Sequence, residues 1–230
     1  MALINDCVAY YKCDDNAAST VVVDSTSNIN GVSQNNTSTM HDASGVVTSC
    51  FSFNGSTDYI TINNLTSNTT LSASFWIKYA NGVKGSYLEI NNNAGSGGIS
   101  VQNQNLLGEI YLLNHLVAWS SAGSDLGDGD WHHLVLTKNT DVYTLYVDGS
   151  STPDISFTSV GGLDGDDFTI GRDSETGVCD GEMCEVGIWE RIITTTEIAE
   201  LYNSGSGLTY PFTGVTPEAA PIKIFDVRFG

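Results

Sequence analysis

The sequence contains few basic residues. Eight Lys and Arg stand against 27 Asp and Glu, which gives a formal net charge of −19 at pH 7 and a sequence pI of about 4.1. A nucleic acid partner requires Lys and Arg side chains that neutralise phosphates, so we expect no nucleic acid binding. An anionic membrane surface is disfavoured for the same reason. The excess of carboxylates favours solubility, and the alternative is that some of them hold calcium.

The sequence also lacks long apolar runs. No stretch approaches the roughly 20 apolar residues that span a bilayer, so no membrane insertion is expected. Residues 1–6 carry neither the basic start nor the apolar run of a secretory signal peptide. We therefore expect the chain to fold in a cytosol and not to leave it through the general secretory route.

The cysteine content does not suit a disulfide framework. The five cysteines are Cys7, Cys13, Cys50, Cys179 and Cys184. Their number is odd, and the first three lie in or next to predicted strands, where a reduced thiol packs as a small apolar side chain. We predict free, mostly buried thiols, with a Cys179–Cys184 pair as the alternative. A zinc site is not expected, because the paired C-x-x-C arrangement is missing.

Short alternating runs broken by turn residues favour strands over helices throughout the chain. The sequence has 24 glycines and many Ser, Thr and Asn residues, and a length of 230 residues suits a single all-β domain. One predicted strand has its apolar face formed by Leu71, Ala73, Phe75, Ile77 and Tyr79. Ser72 and Ser74 lie on its opposite, polar face, together with Trp76. This pattern predicts a half-buried strand.

One segment has helical character. Thr194 and Glu197 have the spacing of a capping box, in which each side chain binds the other residue's backbone N–H at a helix start. An apolar side of the helix is then formed by Ile198, Leu201 and Tyr202. Gly205 is predicted to end this helix.

Residues 129–149 carry the most informative local pattern. Two alternating runs flank a polar break at residues 138–141, which predicts a β-hairpin. One face of its first strand holds Leu134 and Leu136, and the other holds Trp131, His133 and Val135. The sequence of this hairpin, G-D-W-H-H-L-V-L-T followed by Y-T-L-Y-V-D-G, resembles that of the laminin-G-like, concanavalin-A-like jelly-roll domains.

Four further segments are similar to the same family, in the same order. They are an opening strand and turn in residues 8–31, the run F-S-F-N-G-S-T-D-Y-I at 51–60, closing strands at 170–172 and 181–189, and a short helix at 196–205. The resemblance covers most of the chain. It implies an all-β fold over residues 1–210, a two-sheet antiparallel jelly-roll sandwich with one short C-terminal helix.

The resemblance also implies a structural calcium ion. A turn such as residues 24–31 can present a carboxylate and several carbonyl oxygens to one hard cation, although Asp and Asn also form turns by bonding their own backbone. The calcium ligands that the resemblance nominates are Asp24, Asn28, Gly31 and Glu185, with Asp58 as a looser candidate. One departure is Cys184, where many relatives carry Asp.

We expect no catalytic site. The glucanases of this superfamily carry paired carboxylates in a Glu-x-Asp-x-x-Glu type of spacing, and the sequence contains no such run. The resemblance instead implies adhesion to glycans or protein surfaces. Candidate glycan-binding residues are Tyr111, His115, Trp119, Asn92 and Asn103. The alternative for the aromatic residues is core packing, since large aromatic side chains are mostly buried.

The C-terminal segment, residues 211–230, differs from the rest. It begins with three of the four prolines, which is typical of a semi-rigid linker. A β-type run then presents apolar side chains for docking at Ile222, Ile224, Phe225, Val227 and Phe229. We expect this tail to add a strand to a neighbouring subunit or partner protein, and the alternative is that it packs on its own domain.

Together these features predict a non-catalytic adhesion or carbohydrate-binding module. The first hypothesis is a phage virion protein of the capsid decoration, fibre or tail that contacts surface glycans. It would be a homo-oligomer that joins other virion proteins through its tail. The alternative is a carbohydrate-binding module of a bacterial surface or secreted protein, located outside the cell or on its surface. A second alternative is a polysaccharide hydrolase or lyase.

Overall fold

A computed structural model describes residues 2–65, 70–90, 98–103, 107–114, 118–158, 167–173 and 177–213, with backbone alone at 118–123. In chain order the first strands are β1 (Cys7–Tyr11), β2 (Val21–Val22), β3 (Gly31–Ser33), β4 (His41–Asp42), β5 (Cys50–Asn54), β6 (Ile60–Ile62), β7 (Thr70–Lys78) and β8 (Gly85–Ile90). The later strands are β9 (Ile99–Asn103), β10 (Glu109–Asn114), β11 (Ala118–Asp125), β12 (His132–Asn139), β13 (Val142–Val147), β14 (Ile155–Thr158), β15 (Phe168–Ile170) and β16 (Asp180–Trp189). The helices are α1 (Thr37–Met40) and α2 (Thr195–Tyr202).

The strands form two antiparallel sheets. Sheet A has the order β14-β13-β12-β7-β16-β5-β4, and β1 also pairs with β16. Sheet B has the order β11-β10-β9-β8-β15-β6-β3-β2. Apolar side chains from the facing sides of both sheets form one large core between them. The predicted all-β, two-sheet antiparallel sandwich is therefore confirmed.

Among the helices that the structure describes, none combines the length and the apolar character required to cross a lipid bilayer.

The structure contains the predicted hairpin. Strands β12 and β13 pair antiparallel from Asn139 opposite Val142 to Leu134 opposite Val147. Leu134 lies in the core between the sheets, and Val135 lies in a second apolar cluster on the outer side of sheet A. The alternation of β12 therefore separates Leu134 from Val135 as the sequence predicted, but the predicted placement of Trp131 in this strand with Val135 is wrong, because Trp131 precedes β12 and packs against the core.

Strand β7 is buried on both faces, so the prediction of a half-buried strand is wrong. Helix α2 covers its second face, where the Trp76 ring stacks on Tyr202 with centroids 5.7 Å apart. The Ser72 hydroxyl donates to the carbonyl of Arg191 at 2.8 Å. Ser74 and His133 share a hydrogen bond of 2.8 Å. Polar side chains on this face therefore find partners below the helix and do not contact solvent.

Helix α2 begins with the predicted capping box. The Thr194 side chain accepts from the Glu197 backbone N–H at 3.2 Å, and the Glu197 carboxylate accepts from the Thr194 backbone N–H at 2.8 Å. The helix ends earlier than predicted, because Asn203 adopts the left-handed conformation at φ 47° and caps it. Gly205 instead closes the 3-10 turn that follows.

The cysteines are free. Cys13, Cys50, Cys179 and Cys184 are buried and Cys7 is half-buried. This confirms the expectation of reduced thiols that pack as apolar side chains, and it excludes the alternative Cys179–Cys184 pair.

The chain continues to pack on sheet A beyond the helix. Tyr210 and Phe212 place their rings 5.8 Å and 5.3 Å from the Tyr10 ring, and Phe212 also contacts Trp189 at 6.0 Å. The close contacts therefore extend to Phe212, slightly past the predicted boundary at residue 210. The predicted docking residues of the tail lie outside the described residues, namely Ile222, Ile224, Phe225, Val227 and Phe229.

Candidate functional site

The outer face of sheet B carries polar side chains in two rows that cross several strands. Ile99 and Val101 of β9 lie in the core. Because side chains alternate along a strand, Ser100 and Gln102 project from the opposite, outer face. The first row runs through Thr169, Glu89, Ser100 and Leu113, and the second through Ser86, Gln102 and Tyr111. We name as the polar face the residues Ser86, Glu89, Ser100, Gln102, Tyr111 and Thr169.

Most of the polar face is shielded from solvent. Ser86, Glu89, Ser100 and Gln102 are each no more than 1% exposed. Within the chain, the hydroxyl of Ser86 makes no hydrogen bond. Withdrawing a carboxylate and several hydrogen-bonding groups from water has a free-energy cost. Buried polar groups of this kind are common at functional sites. The side chains of these four residues are inaccessible to water, unlike those of an ordinary solvated sheet surface.

An aromatic ring borders the shielded region. Tyr111 is partly exposed, and its hydroxyl donates to Glu109 Oε2 at 2.8 Å. Directly opposite Tyr111 on the neighbouring strand lies Gln102. The outer face of sheet B therefore combines a flat ring with amide, hydroxyl and carboxylate groups.

The predicted glycan-binding residues do not all lie on this face. Asn103 alternates with Gln102 and so points to the core side, where its amide donates to the Val83 carbonyl at 2.8 Å. The backbone of Trp119 pairs with Leu113, but its side chain lies outside the described residues, as do His115 and Asn92. Tyr111 is the candidate that the structure places on the polar face.

Sequence reasoning missed Glu89, Ser86 and Ser100. A signal for Ser100 was present, because it alternates with the apolar residues of β9 as a half-buried strand requires. For β8 the signal was obscured, since an irregular register between Ser86 and Leu88 interrupts the alternation. Only the pairing of β8 with β9 brings these three side chains onto one face.

The Asp24 carboxylate organises its own turn. Its Oδ1 accepts from the backbone N–H groups of Tyr10 and Thr26, at 2.8 and 2.9 Å. Its Oδ2 accepts from the Thr26 hydroxyl at 2.7 Å and from the backbone N–H groups of Asn28 and Ile29, both at 2.9 Å. Burial raises the pKa of Asp24, but these hydrogen bonds outweigh it and hold the pKa below its ordinary value.

Glu185 lies at an irregular point of β16. It has a φ of 54°, in the left-handed region that non-glycine residues rarely adopt, and the register of β16 against β7 shifts at this position. Its Oε2 accepts from the Tyr10 hydroxyl at 2.8 Å. Burial raises the pKa of Glu185 to about 7, although the nearby hydroxyls of Thr209 and Tyr10 oppose the shift.

The predicted calcium ligands do not fit one shared site. Asp24 contacts the backbone nitrogen of Tyr10, whereas Glu185 contacts its phenol oxygen at the far end of the side chain. Asp58 is engaged by the side chain of Asn35 and by the backbone N–H of Asn54. Across the described part of the chain, no three His, Cys, Asp or Glu side chains form a group that could hold a metal ion. Calcium binding stays a prediction, without a cluster of ligands among these five residues.

Two adjacent histidines have different surroundings. His132 lies between Asp148 and Asp128, at 2.8 and 3.2 Å, and the hydrogen bond to Asp148 is the main cause of its raised pKa. His133 is buried against Trp76 and Tyr202, and burial lowers its pKa to about 3. His133 therefore packs as a neutral ring, and neither histidine lies on the polar face.

Two antiparallel sheets around one core, with a helix packed outside one of them, define a jelly-roll sandwich domain. The model of the concanavalin A-like lectin/glucanases superfamily matches residues 54–199. The chain belongs to this family, which confirms the resemblance drawn from its motifs.

Solved structures with the same fold include several carbohydrate-binding domains. Domain 4 of AbnA, a GH43 extracellular arabinanase from Geobacillus stearothermophilus in complex with arabinotriose, has a TM-score of 0.66 at 19% identity, over 85% of this chain and 97% of that domain. A botulinum neurotoxin serotype D ligand binding domain in complex with N-acetylneuraminic acid has a TM-score of 0.62 at 18% identity, over 87% of this chain.

A third similar structure is the binding domain of Paraclostridial Mosquitocidal Protein 1, with a TM-score of 0.66 at 15% identity over 89% of this chain. This chain spans about half of that domain and of the neurotoxin domain, at 53% and 51%. No curated protein matches the sequence.

Proposed function

We propose that the protein is a non-catalytic carbohydrate-binding module that contacts the glycan at the partly exposed border of the polar face, around Tyr111. The observation that carries the proposal is the partly exposed Tyr111 ring, hydrogen-bonded to Glu109 at the border of a polar sheet face that does not belong to the core. The outer side of sheet A is already occupied by α2 and residues 208–212. We therefore place the ligand on sheet B.

The chemistry of the polar face suits a sugar. Hydroxyl groups of a glycan donate to carboxylate oxygens, which the partly exposed Glu109 supplies beside Tyr111. The Tyr111 ring provides an apolar surface for the C–H face of a pyranose or furanose ring. Similar structures in complex with arabinotriose and N-acetylneuraminic acid support a glycan as the ligand class.

The spacing of Glu89 and Glu109 argues against these two carboxylates acting as a hydrolytic pair. Glu89 lies in the row of Leu113, four residues along β10 from Glu109. Strand geometry separates these positions by about 14 Å along the strand and by two strand spacings of about 4.8 Å across the sheet. Hydrolases place their two carboxylates at most about 9.5 Å apart. Asp125, opposite Glu109, is exposed and accepts from the Gly127 backbone N–H.

The test is glycan binding by face variants. Tyr111→Ala and Glu109→Gln are expected to weaken binding to whichever array glycan the parent protein retains by at least about tenfold, because they remove the stacking surface and a charged acceptor. Titration calorimetry measures the loss. Tyr146→Ala, a half-buried tyrosine of sheet A, is the matched control. Unchanged affinity in both face variants, with native circular dichroism, would place the glycan elsewhere.

We also propose that the protein is a component of a virion. The alternative location is the bacterial cell surface or the extracellular space. The virion role is supported by the sequence features of residues 211–230. The tail would join a copy of the chain or another virion protein, and deleting residues 216–230 would then abolish assembly in sedimentation velocity. A deletion variant that keeps the parent's oligomeric state would contradict this role.

A further inference from the structure

We infer that the exposed Arg172, packed over the Tyr59 ring, forms a subsite for the carboxylate of an acidic glycan. The inference rests on the function proposed above and adds a second contact for the same ligand class. Arg172 follows β15 and Tyr59 directly precedes β6. Because β15 and β6 are paired neighbours in sheet B, the two residues lie together at one end of these strands.

Both side chains reach the outer surface of sheet B. Ile60 is buried in the core, and Tyr59 alternates with it, so the Tyr59 ring lies on the outer side, where it is partly exposed. Alternation alone would direct Arg172 to the core side with Ile170. Gly171 between them has a φ of 82°, which breaks the alternation, and Arg172 is exposed.

The Tyr59 ring restricts the orientation of the guanidinium. The central carbon of the Arg172 guanidinium is 4.8 Å from the ring centroid, which is within the range of a cation–π contact. The N–H donors lie in the guanidinium plane, in the fork that matches a carboxylate. Among the described residues, Lys78 and Arg191 form ion pairs with carboxylates and Arg172 forms none. Its donors can therefore bind an anion from outside the chain.

The carboxylates next to this pair in the sequence have donors of their own. Asp173 is 3% exposed and accepts from the backbone N–H of Gly177 at 3.1 Å. Asp58 is 5% exposed and accepts from the Asn35 side chain and from the backbone N–H of Asn54. Neither carboxylate neutralises Arg172 at the surface.

A second exposed cation borders the same segment. Arg172 forms a β-bridge with Val178. Lys84 is exposed and precedes Gly85, where a Cβ would lie 2.9 Å from the Cα of Cys179. Two of the eight basic residues therefore flank residues 178–179, in a chain of net charge −19. A carboxylate on a sugar requires such local positive charge, because charge-assisted hydrogen bonds are stronger than those of a hydroxyl.

The Arg172 subsite is separate from the Tyr111 border. Strands β6 and β10 are four strand spacings apart in sheet B, or about 19 Å at roughly 4.8 Å for each spacing. A ligand that uses both contacts must therefore be an oligosaccharide that carries acidic sugars.

The experiment compares two probes that share one backbone and differ in charge, oligogalacturonic acid and its full methyl ester. Binding to the purified full chain is measured by calorimetry at one salt concentration. We expect the acid to bind at least about tenfold more tightly than the ester. Arg172→Gln is expected to lower the affinity for the acid by at least about tenfold and to leave the affinity for the ester unchanged. Arg172→Lys keeps the charge but not the planar fork, so an intermediate loss is expected.

The matched control is Lys12→Gln, which removes the same charge beyond the end of β1 in sheet A and is expected to keep both affinities. Equal affinities of the parent protein for acid and ester, or a preference for the acid that survives Arg172→Gln, would overturn the inference. Binding of uncharged array glycans alone would also overturn it but keep the proposed function. Absence of binding to both probes and to every array glycan would overturn the proposed function itself. If Arg172→Gln fails to fold, the loss in Arg172→Lys decides the question.

Discussion

Replacing Glu197 by alanine is expected to lower the free energy of unfolding by about 3 kcal/mol or more, because several interactions end on this one carboxylate. It accepts two hydrogen bonds from the Arg191 guanidinium, at 2.7 and 2.8 Å, and completes the capping box with Thr194. Arg191 also donates to the carbonyls of Ala2 and Asn5. The substitution leaves a largely buried guanidinium with the longer ion pair to Asp6, at 3.8 Å, in place of its close one, and it loosens the contact between α2 and the N-terminal segment.

The matched control for this variant is Glu200→Ala, in the same helix. Burial raises the pKa of Glu200, so its charged form is not stabilised by the fold, and its removal is expected to change the free energy of unfolding by less than about 0.5 kcal/mol. Urea denaturation followed by circular dichroism measures both variants. A loss below about 1 kcal/mol for Glu197→Ala would show that the carboxylate is not central to the packing of α2.

Replacing Glu185 by glutamine is expected to stabilise the protein above pH 7 by up to roughly 3 kcal/mol. The folded-state pKa of Glu185 is about 7, against an ordinary value of 4.5. As the pH rises, the Glu185 carboxyl group therefore loses its proton at a lower pH in the unfolded chain than in the folded protein. The contribution of Glu185 to the free energy of unfolding is highest below pH 4.5 and falls between pH 4.5 and 7. Above pH 7 it stays at the lower level, because a charged carboxylate must remain buried. Glutamine carries no charge and can still accept from the Tyr10 hydroxyl.

The measurement is the free energy of unfolding of both proteins from pH 5 to pH 8.5. The parent protein is expected to lose stability over this range relative to Glu185→Gln, and the two curves are expected to converge toward pH 5. Glu190→Gln, an exposed carboxylate beyond the same strand, is expected to follow the parent curve. Parallel curves for the parent and Glu185→Gln would refute a raised folded-state pKa at this position.

Local sequence patterns were sufficient to predict several elements. The capping-box spacing of Thr194 and Glu197 located the start of α2, because this motif depends on residues three positions apart. The hairpin of β12 and β13 followed from alternation around a short polar break. In both cases the determining interactions are contained in one short segment, so no knowledge of the rest of the fold was needed.

Which faces of the sheets are covered is determined by contacts between residues that are distant in sequence. Trp76 was read as an apolar residue on a solvated face, because its partner Tyr202 lies more than 120 positions later. Similarly, Glu89 gives no local signal of function. Its position beside Ser100 and Thr169 results from the pairing of β8 with β9 and β15. Sequence alternation assigns a side chain to one of two faces, but it does not say what covers each face.

The two sheets therefore have different roles in this account. Sheet A has apolar partners on both sides, from the core and from α2 with the segment that follows it. Sheet B has the core on one side and the polar face on the other. In the function proposed above, this asymmetry is the reason for placing the glycan on sheet B.

The most direct test of a glycan-binding polar face is hydrogen–deuterium exchange of the full chain with and without its best array glycan. Exchange should slow in the peptides that contain β8, β9, β10 and β15, because a bound glycan excludes water from that face and stabilises its backbone hydrogen bonds. Peptides of β12, β13 and α2 should keep their exchange rates. Protection confined to sheet A or to the turn around Asp24, with β8 to β10 unaffected, would contradict the account.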